Sequence, residues 1–158
     1  MDAAKPETDL YTHTLANTSK PQELLQVILD VIRCTYEPEV FGSWSLNGNP
    51  SFICDALGDG PSKITYSSSV MKVADDFSCQ YSQLIKPTLM DQGFSPASKS
   101  TAFVIVSSHR DNLSLSLIDS LAKVLGSETN VTNVHVGQCY DKTLTGVMKV
   151  SVMVVSKY

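Results

Sequence analysis

Hydrophobic and polar positions recur along this chain in two periods, and the switches between them mark its elements. Leu24, Leu25, Ile28, Leu29, Val31 and Ile32 repeat at helical spacing, and Ser19-Lys20-Pro21-Gln22 stands just before them. That tetrad is a capping box with proline in the first turn, so the spacing predicts a helix that runs to about Cys34 and is broken by Glu37-Pro38. Val40–Leu46 and Ser51–Leu57 flank Asn47-Gly48-Asn49-Pro50. Asn-Gly accepts the positive φ angles of a tight hairpin turn, which predicts two antiparallel strands there. Gly58-Asp59-Gly60-Pro61 turns into a third strand, Lys63–Ser67. A second helical stripe, Val70, Val73, Phe77, Tyr81, Leu84 and Ile85, follows, and Pro87 is expected to end or kink it.

The last third reads strand, helix, strand, strand. Ala102-Phe103-Val104-Ile105-Val106 is an unbroken apolar run, the mark of a central strand covered on both faces. Asp111 or Asn112 is the expected cap of a third helix carrying Leu113, Leu117, Ile118, Leu121 and Leu125, with Gly126 stopping it. Val131–Tyr140 and Gly146–Lys157 alternate as strands. In the last of these, Met148, Val150, Val152 and Val154 share one face, and Lys149, Ser151, Met153 and Val155 the other. A strand apolar on both faces needs both covered, which makes Met153 and Val155 candidates for a self-association surface unless the helices cover them.

Together these elements define an α+β protein. Residues 1–18 have no periodicity and read as a flexible arm, and 19–158 as a single compact domain. The sheet is expected to be antiparallel or mixed, with helices packed mainly on one side and a C-terminal β-α-β-β unit. By topology that unit resembles part of a ferredoxin-like arrangement, and such folds host unrelated functions.

Composition narrows the function classes. With 158 residues, 42% hydrophobic and 18% charged, the chain is long and apolar enough to bury a core. A net charge of −4 and scattered basic residues argue against a nucleic-acid partner. No apolar run approaches the roughly 18 residues of a membrane span, and Met1–Glu7 lacks the apolar core of a signal peptide. A soluble, cytoplasmic protein with no membrane partner is expected. Cys34, Cys54, Cys79 and Cys139 form no C-x-x-C pair and have no histidine at ligand spacing, so no metal is expected. Cys34, Cys54 and Cys79 sit in settings that read as small buried hydrophobes. Three glycosylation sequons, at Asn17, Asn112 and Asn130, read as coincidence in a chain rich in Ser and Thr.

Candidate chemistry is sparse. His109-Arg110-Asp111 spells the start of a protein-kinase catalytic loop, but the lysine, the metal-binding asparagine and the glycine-rich loop are missing. Asp141-Lys142-Thr143 is similar to an aspartyl-phosphate motif with its Gly-Thr displaced, and reads better as a connection between strands. The more physical candidate is the turn Ser107-Ser108-His109-Arg110-Asp111-Asn112, where a central strand opens onto a helix. Free amides there would favour an anion, with Ser107, Ser108, His109 and Arg110 as the ligand-binding set. Asp55 and Asp59 read as turn formers, His135 as a lone surface imidazole, and His13 as a residue of the arm.

No catalytic constellation emerges and no cofactor is implied. The first expectation is a non-enzymatic interaction or regulatory module that forms a dimer or engages another protein. A small anion- or nucleotide-binding protein or enzyme using Ser107–Asn112 is the alternative. An inhibitor or decoy acting by surface complementarity is a third.

Overall fold

Helix α1 (Pro21–Tyr36) forms where its stripe places it, with acidic Glu23 in the first turn and Arg33 in the last. The computed structural model describes residues 13–15, 21–36, 48–58, 60–73, 77–95, 99–129, 131 and 133–158. The first half of the expected hairpin, 40–46, lies outside them. Its second half is not a strand. Ser51–Gly58 is helix α2, because Phe52, Ile53, Ala56 and Leu57 fall on one helical face and pack together on the sheet. Asn49 starts it: its side-chain oxygen accepts from the Ser51 N–H at 3.1 Å, and Gly48 supplies a positive φ of 66° just before. Gly48 has the positive φ expected of it, but the element that follows is a helix and not the second strand of a hairpin.

Strand β2 (Ser62–Lys72) outruns its predicted end and absorbs Val70, which pairs with Lys149 rather than opening a helix. The helical segment that follows begins later, as α3 (Ser78–Gln80), a π turn (Tyr81–Ile85) and α4 (Lys86–Asp91). Phe77, Tyr81, Ile85 and Leu89 are all buried, at a spacing of four residues. An α-helix drifts about 40° for each such step, and the wider π turn removes the drift. It also brings Pro87 into the first positions of α4, where the missing N–H costs nothing, so the helix passes the proline instead of ending there. Gly93 (φ 77°) then closes α4, with the Phe94 N–H donating to the Leu89 carbonyl at 3.1 Å.

Strand β3 (Ser100–Ser108) is buried almost throughout. A single 3-10 turn (Arg110–Asn112) follows it, and α5 (Leu115–Thr129) begins only at Ser114, whose hydroxyl accepts from the Leu117 N–H at 3.2 Å. Ser114, not Asp111 or Asn112, is therefore the cap, and Gly126 lies inside the helix. Strands β4 (Asn133–Tyr140) and β5 (Val147–Lys157) complete the chain.

Among the described residues the sheet is mixed, five strands in the order β1-β2-β5-β3-β4, where β1 is His13–Leu15. That short strand runs parallel to β2 at Ser62–Ile64 and lies inside the stretch read as an arm. Strand β5 is antiparallel to both β2 and β3, while β3 and β4 are parallel neighbours joined through α5. Because β4 lies directly beside β3, the C-terminal unit is a plain β-α-β crossover with β5 on its other side, not the split arrangement of a ferredoxin-like fold. The α+β class holds, and the alternation read along β5 decides its layers. Met148, Val150, Val152 and Val154 face the larger core, with α3, α4 and α5 above them. Met153 and Val155 face a smaller one formed with Cys34, Ala56, Phe52 and Ile53. Most helical cover is thus on one side, and α1 and α2 form a second layer on the other.

Candidate functional site

The turn after β3 is built by side chains that spend their polar groups on one another. Successive residues of a strand point to opposite faces, so the Ser107 and Ser108 hydroxyls diverge. Ser108 Oγ donates to the Val147 carbonyl at 2.6 Å and accepts from Asn112 Nδ2 at 3.1 Å. Ser107 is fully buried on the other face, and its hydroxyl has no partner among the described residues. His109 Nδ1 accepts from the Asp111 N–H at 3.3 Å and lies 3.4 Å from the Asp111 carboxylate. The amides of His109, Asn112 and Leu113 donate to the carbonyls of Leu144, His109 and Arg110. Arg110 lies over the Tyr140 ring, 5.1 Å from its centroid. The structure therefore brings Ser108, His109 and Arg110 to one turn, separates Ser107 from them, and uses the backbone donors an anion would need.

Met153 and Val155 are placed differently from each other. Val155 is 1% exposed and packed inside the chain, so it offers no surface. Met153 is half-buried at the floor of an apolar recess of about 290 Å³, walled by Val27, Ile28, Val31 and Ile32 of α1 and by Ile53 and Leu57 of α2. The recess opens beside an outer face of α1 that carries Leu25, Ile28, Leu29, Ile32 and Tyr36, all exposed.

Sequence reasoning missed a buried ion pair. Asp30 of α1 is fully buried. Its Oδ1 accepts from Lys149 Nζ at 2.8 Å and Gln26 Nε2 at 3.1 Å, and its Oδ2 from Ser151 Oγ at 2.6 Å. Ser151 Oγ in turn lies 2.9 Å from Ser68 Oγ. A recess of about 210 Å³ lies alongside, lined by Gln22, Glu23, Gln26, Ser68, Ser69, Val70 and Lys149. Both oxygens of the carboxylate are engaged, so the group anchors α1 to the sheet. The signal was present in the chain: one acid interrupts the apolar run of α1, and one lysine interrupts the apolar run of β5.

The remaining candidates fall apart. Asp55 is exposed on α2, and Asp59 and the side chain of His13 lie outside the described residues. His135 is half-buried at the surface: its ring stacks on Phe52 at 4.2 Å and on Phe103 at 5.5 Å, and burial holds its pKa below the usual histidine value. Cys54 and Cys79 are exposed, against expectation, while Cys34 and Cys139 are buried. The hydrogen bond with the Cys139 thiol, then burial, raises the pKa of Cys34. The Asp141 carboxylate accepts from the Thr143 hydroxyl at 2.6 Å and its N–H at 2.9 Å, which lowers its pKa. Among the described residues no group of three or more His, Cys, Asp or Glu converges on a metal position, and no helix is long and apolar enough to cross a membrane.

The fold and these placements define an α+β domain with a mixed sheet, an internal ion pair and one apolar outer helix face. No family model and no curated protein matches the sequence. Solved structures do. A point mutant of FtsZ from M. jannaschii superposes with a TM-score of 0.61 at 14% identity, covering 86% of this chain and 38% of that one. CetZ from Methanosaeta thermophila gives 0.53 at 15%, covering 82% and 34%. TubZ of Bacillus thuringiensis serovar israelensis, in a GTPγS-form protofilament, gives 0.51 at 18%, covering 87% and 35%. The chain spans little more than a third of the length of these proteins, and at such identity the likeness is one of fold.

Proposed function

We propose that this chain is a non-enzymatic module that associates with a second copy of itself through the outer face of α1. The observation that carries the reading is the exposure of Leu25 (58%), Ile28 (45%), Leu29 (45%), Ile32 (50%) and Tyr36 (73%) on one helix. Exposed apolar residues scattered singly are ordinary, whereas five in one stripe are a docking surface.

The stripe matches itself. Two copies of α1 packed antiparallel about a two-fold axis between Ile28 and Leu29 set Leu25 against Ile32 and Tyr36 against Pro21. Such pairing is isologous, the commonest arrangement among homo-oligomers. Opposed helix dipoles then favour this orientation over the parallel one. Two structural neighbours, an FtsZ dimer and a TubZ protofilament, are themselves self-associated, which supports self-association without indicating a face.

Sedimentation of the wild type and of Ile28→Lys tests the reading. A concentration-dependent dimer that the lysine abolishes, with the circular dichroism unchanged, is the expected result. A wild type that stays monomeric up to its solubility limit overturns it, as does a dimer indifferent to Ile28→Lys and Leu25→Lys.

A further inference from the structure

The outer edge of β2 is long, and among the described residues it has little strand beside it. Strand β1 pairs only with Ser62–Ile64, and β2 continues to Lys72. The outward-directed N–H and C=O groups of an edge fall on alternate residues, and left bare they template strands from other chains. Side chains answer them here. At Tyr66, Gln92 Oε1 accepts from the backbone N–H at 2.9 Å and Gln92 Nε2 donates to the carbonyl at 2.7 Å. At Lys72, the Gln80 carboxamide does the same, at 3.0 and 3.1 Å. Between them, Glu23 Oε2 accepts from the Ser68 N–H at 3.4 Å. Val70, 57% exposed, is the outward residue in this run without such a partner among the described residues.

We infer that these two carboxamides are strand-edge clamps that close β2 to further strands. A glutamine amide offers one acceptor and one donor in a plane, the same pair that an incoming strand residue would present. Each clamp therefore occupies both bonds an added strand needs at its position, and the two stand at either end of the uncovered edge. Gln92 follows α4, Gln80 belongs to α3 and Glu23 to α1, so helices from both faces of the sheet reach the same edge. Association by sheet extension is closed while the helices are seated, and this holds whether or not α1 pairs with a second copy.

The test uses amide hydrogen exchange on the wild type and on Gln80→Ala/Gln92→Ala, the latter in the Ile28→Lys background so that pairing through α1 does not intrude. In the wild type the Tyr66 and Lys72 amides are expected to exchange far more slowly than that of Val70. In the double variant both speed up by about tenfold or more, and light scattering finds larger, thioflavin-binding species that its parent does not form. Tyr66 and Lys72 amides that exchange as fast as Val70 in the wild type overturn the inference. So does a folded double variant that keeps the size of its parent. Should the double variant fail to fold, the wild-type exchange pattern still decides.

Discussion

At the scale of single residues, the Asp30–Lys149 pair has the largest stake in stability. A buried charge whose partner is removed is left uncompensated, which costs about 3–5 kcal/mol, whereas replacing both charges by apolar residues is often neutral. Lys149→Met is therefore expected to lower the urea midpoint sharply, and Asp30→Leu/Lys149→Met to restore most of it. Equal losses in the single and double variants would show that the pair is not coupled. The thiols give a second outcome at this scale. Cys54 and Cys79 are exposed, Cys34 and Cys139 buried. An aromatic disulfide reagent should titrate two of the four sulfurs in the native protein and all four in denaturant.

Titration separates two more residues by sign. Burial lowers the His135 pKa, so the unfolded chain binds the proton more readily and protonation opposes folding. Stability is expected to fall as pH drops below about 6.5, levelling once the pH passes below the folded value. His135→Phe, which keeps the stack on Phe52 and Phe103, should remove that slope. Asp141 acts lower. Its hydrogen bonds to Thr143 lower its pKa from 3.8, so its contribution is present above that value and is lost as pH falls through the folded one. Thr143→Val, which deletes the hydroxyl and keeps the N–H, should shrink only this more acidic step in a pH series of melting midpoints.

Among the elements, the start of α5 gives the sharpest comparison. Ser114→Ala deletes the acceptor of the Leu117 N–H and should cost about 1 kcal/mol in chemical denaturation, while Asp111→Ala, with no capping bond to lose, should cost little. The sequence carried α1, the central strand β3, helix α5 and both faces of β5, because long runs with one period leave little room for a second reading. It did not carry α2, where eight residues are too few to separate alternation from helical spacing and the Asn-Gly turn argued for a hairpin. It misplaced the helix after β2, because Val70 and Val73 continue the period of Phe77 by coincidence, and only pairing with β5 decides against them. Of the candidate site, Leu25, Ile28, Leu29 and Ile32 were legible as a helical stripe, but their exposure was not, because the self-association surface was expected at Met153 and Val155. The Asp30–Lys149 pair joins residues far apart in sequence, and the topology that brings them together cannot be read from either one.

For the whole molecule, the first fifteen residues matter more than their lack of pattern suggests. His13–Leu15 pair with Ser62–Ile64 at the edge of the sheet. Removing residues 1–12 should leave amide protection at Ser62–Ile64 unchanged, whereas removing 1–15 should expose it and lower the melting midpoint. Identical behaviour of the two truncations would show that β1 contributes nothing to the fold.

The order of the strands also sets the order in which the protein can be made. Of the described strands β5 comes last in the sequence, yet it lies between β2 and β3 and pairs with both. Until Val147–Lys157 leaves the ribosome, the nascent chain consists of two separate strand pairs, each with an apolar edge waiting for the same partner. Completion of the sheet therefore waits on Val147–Lys157, and a ribosome stalled before Val147 holds a chain whose two strand pairs are still unjoined. By the same logic, a separately supplied peptide spanning 147–157 should rescue a chain cut after Gly146, as the missing centre of the sheet.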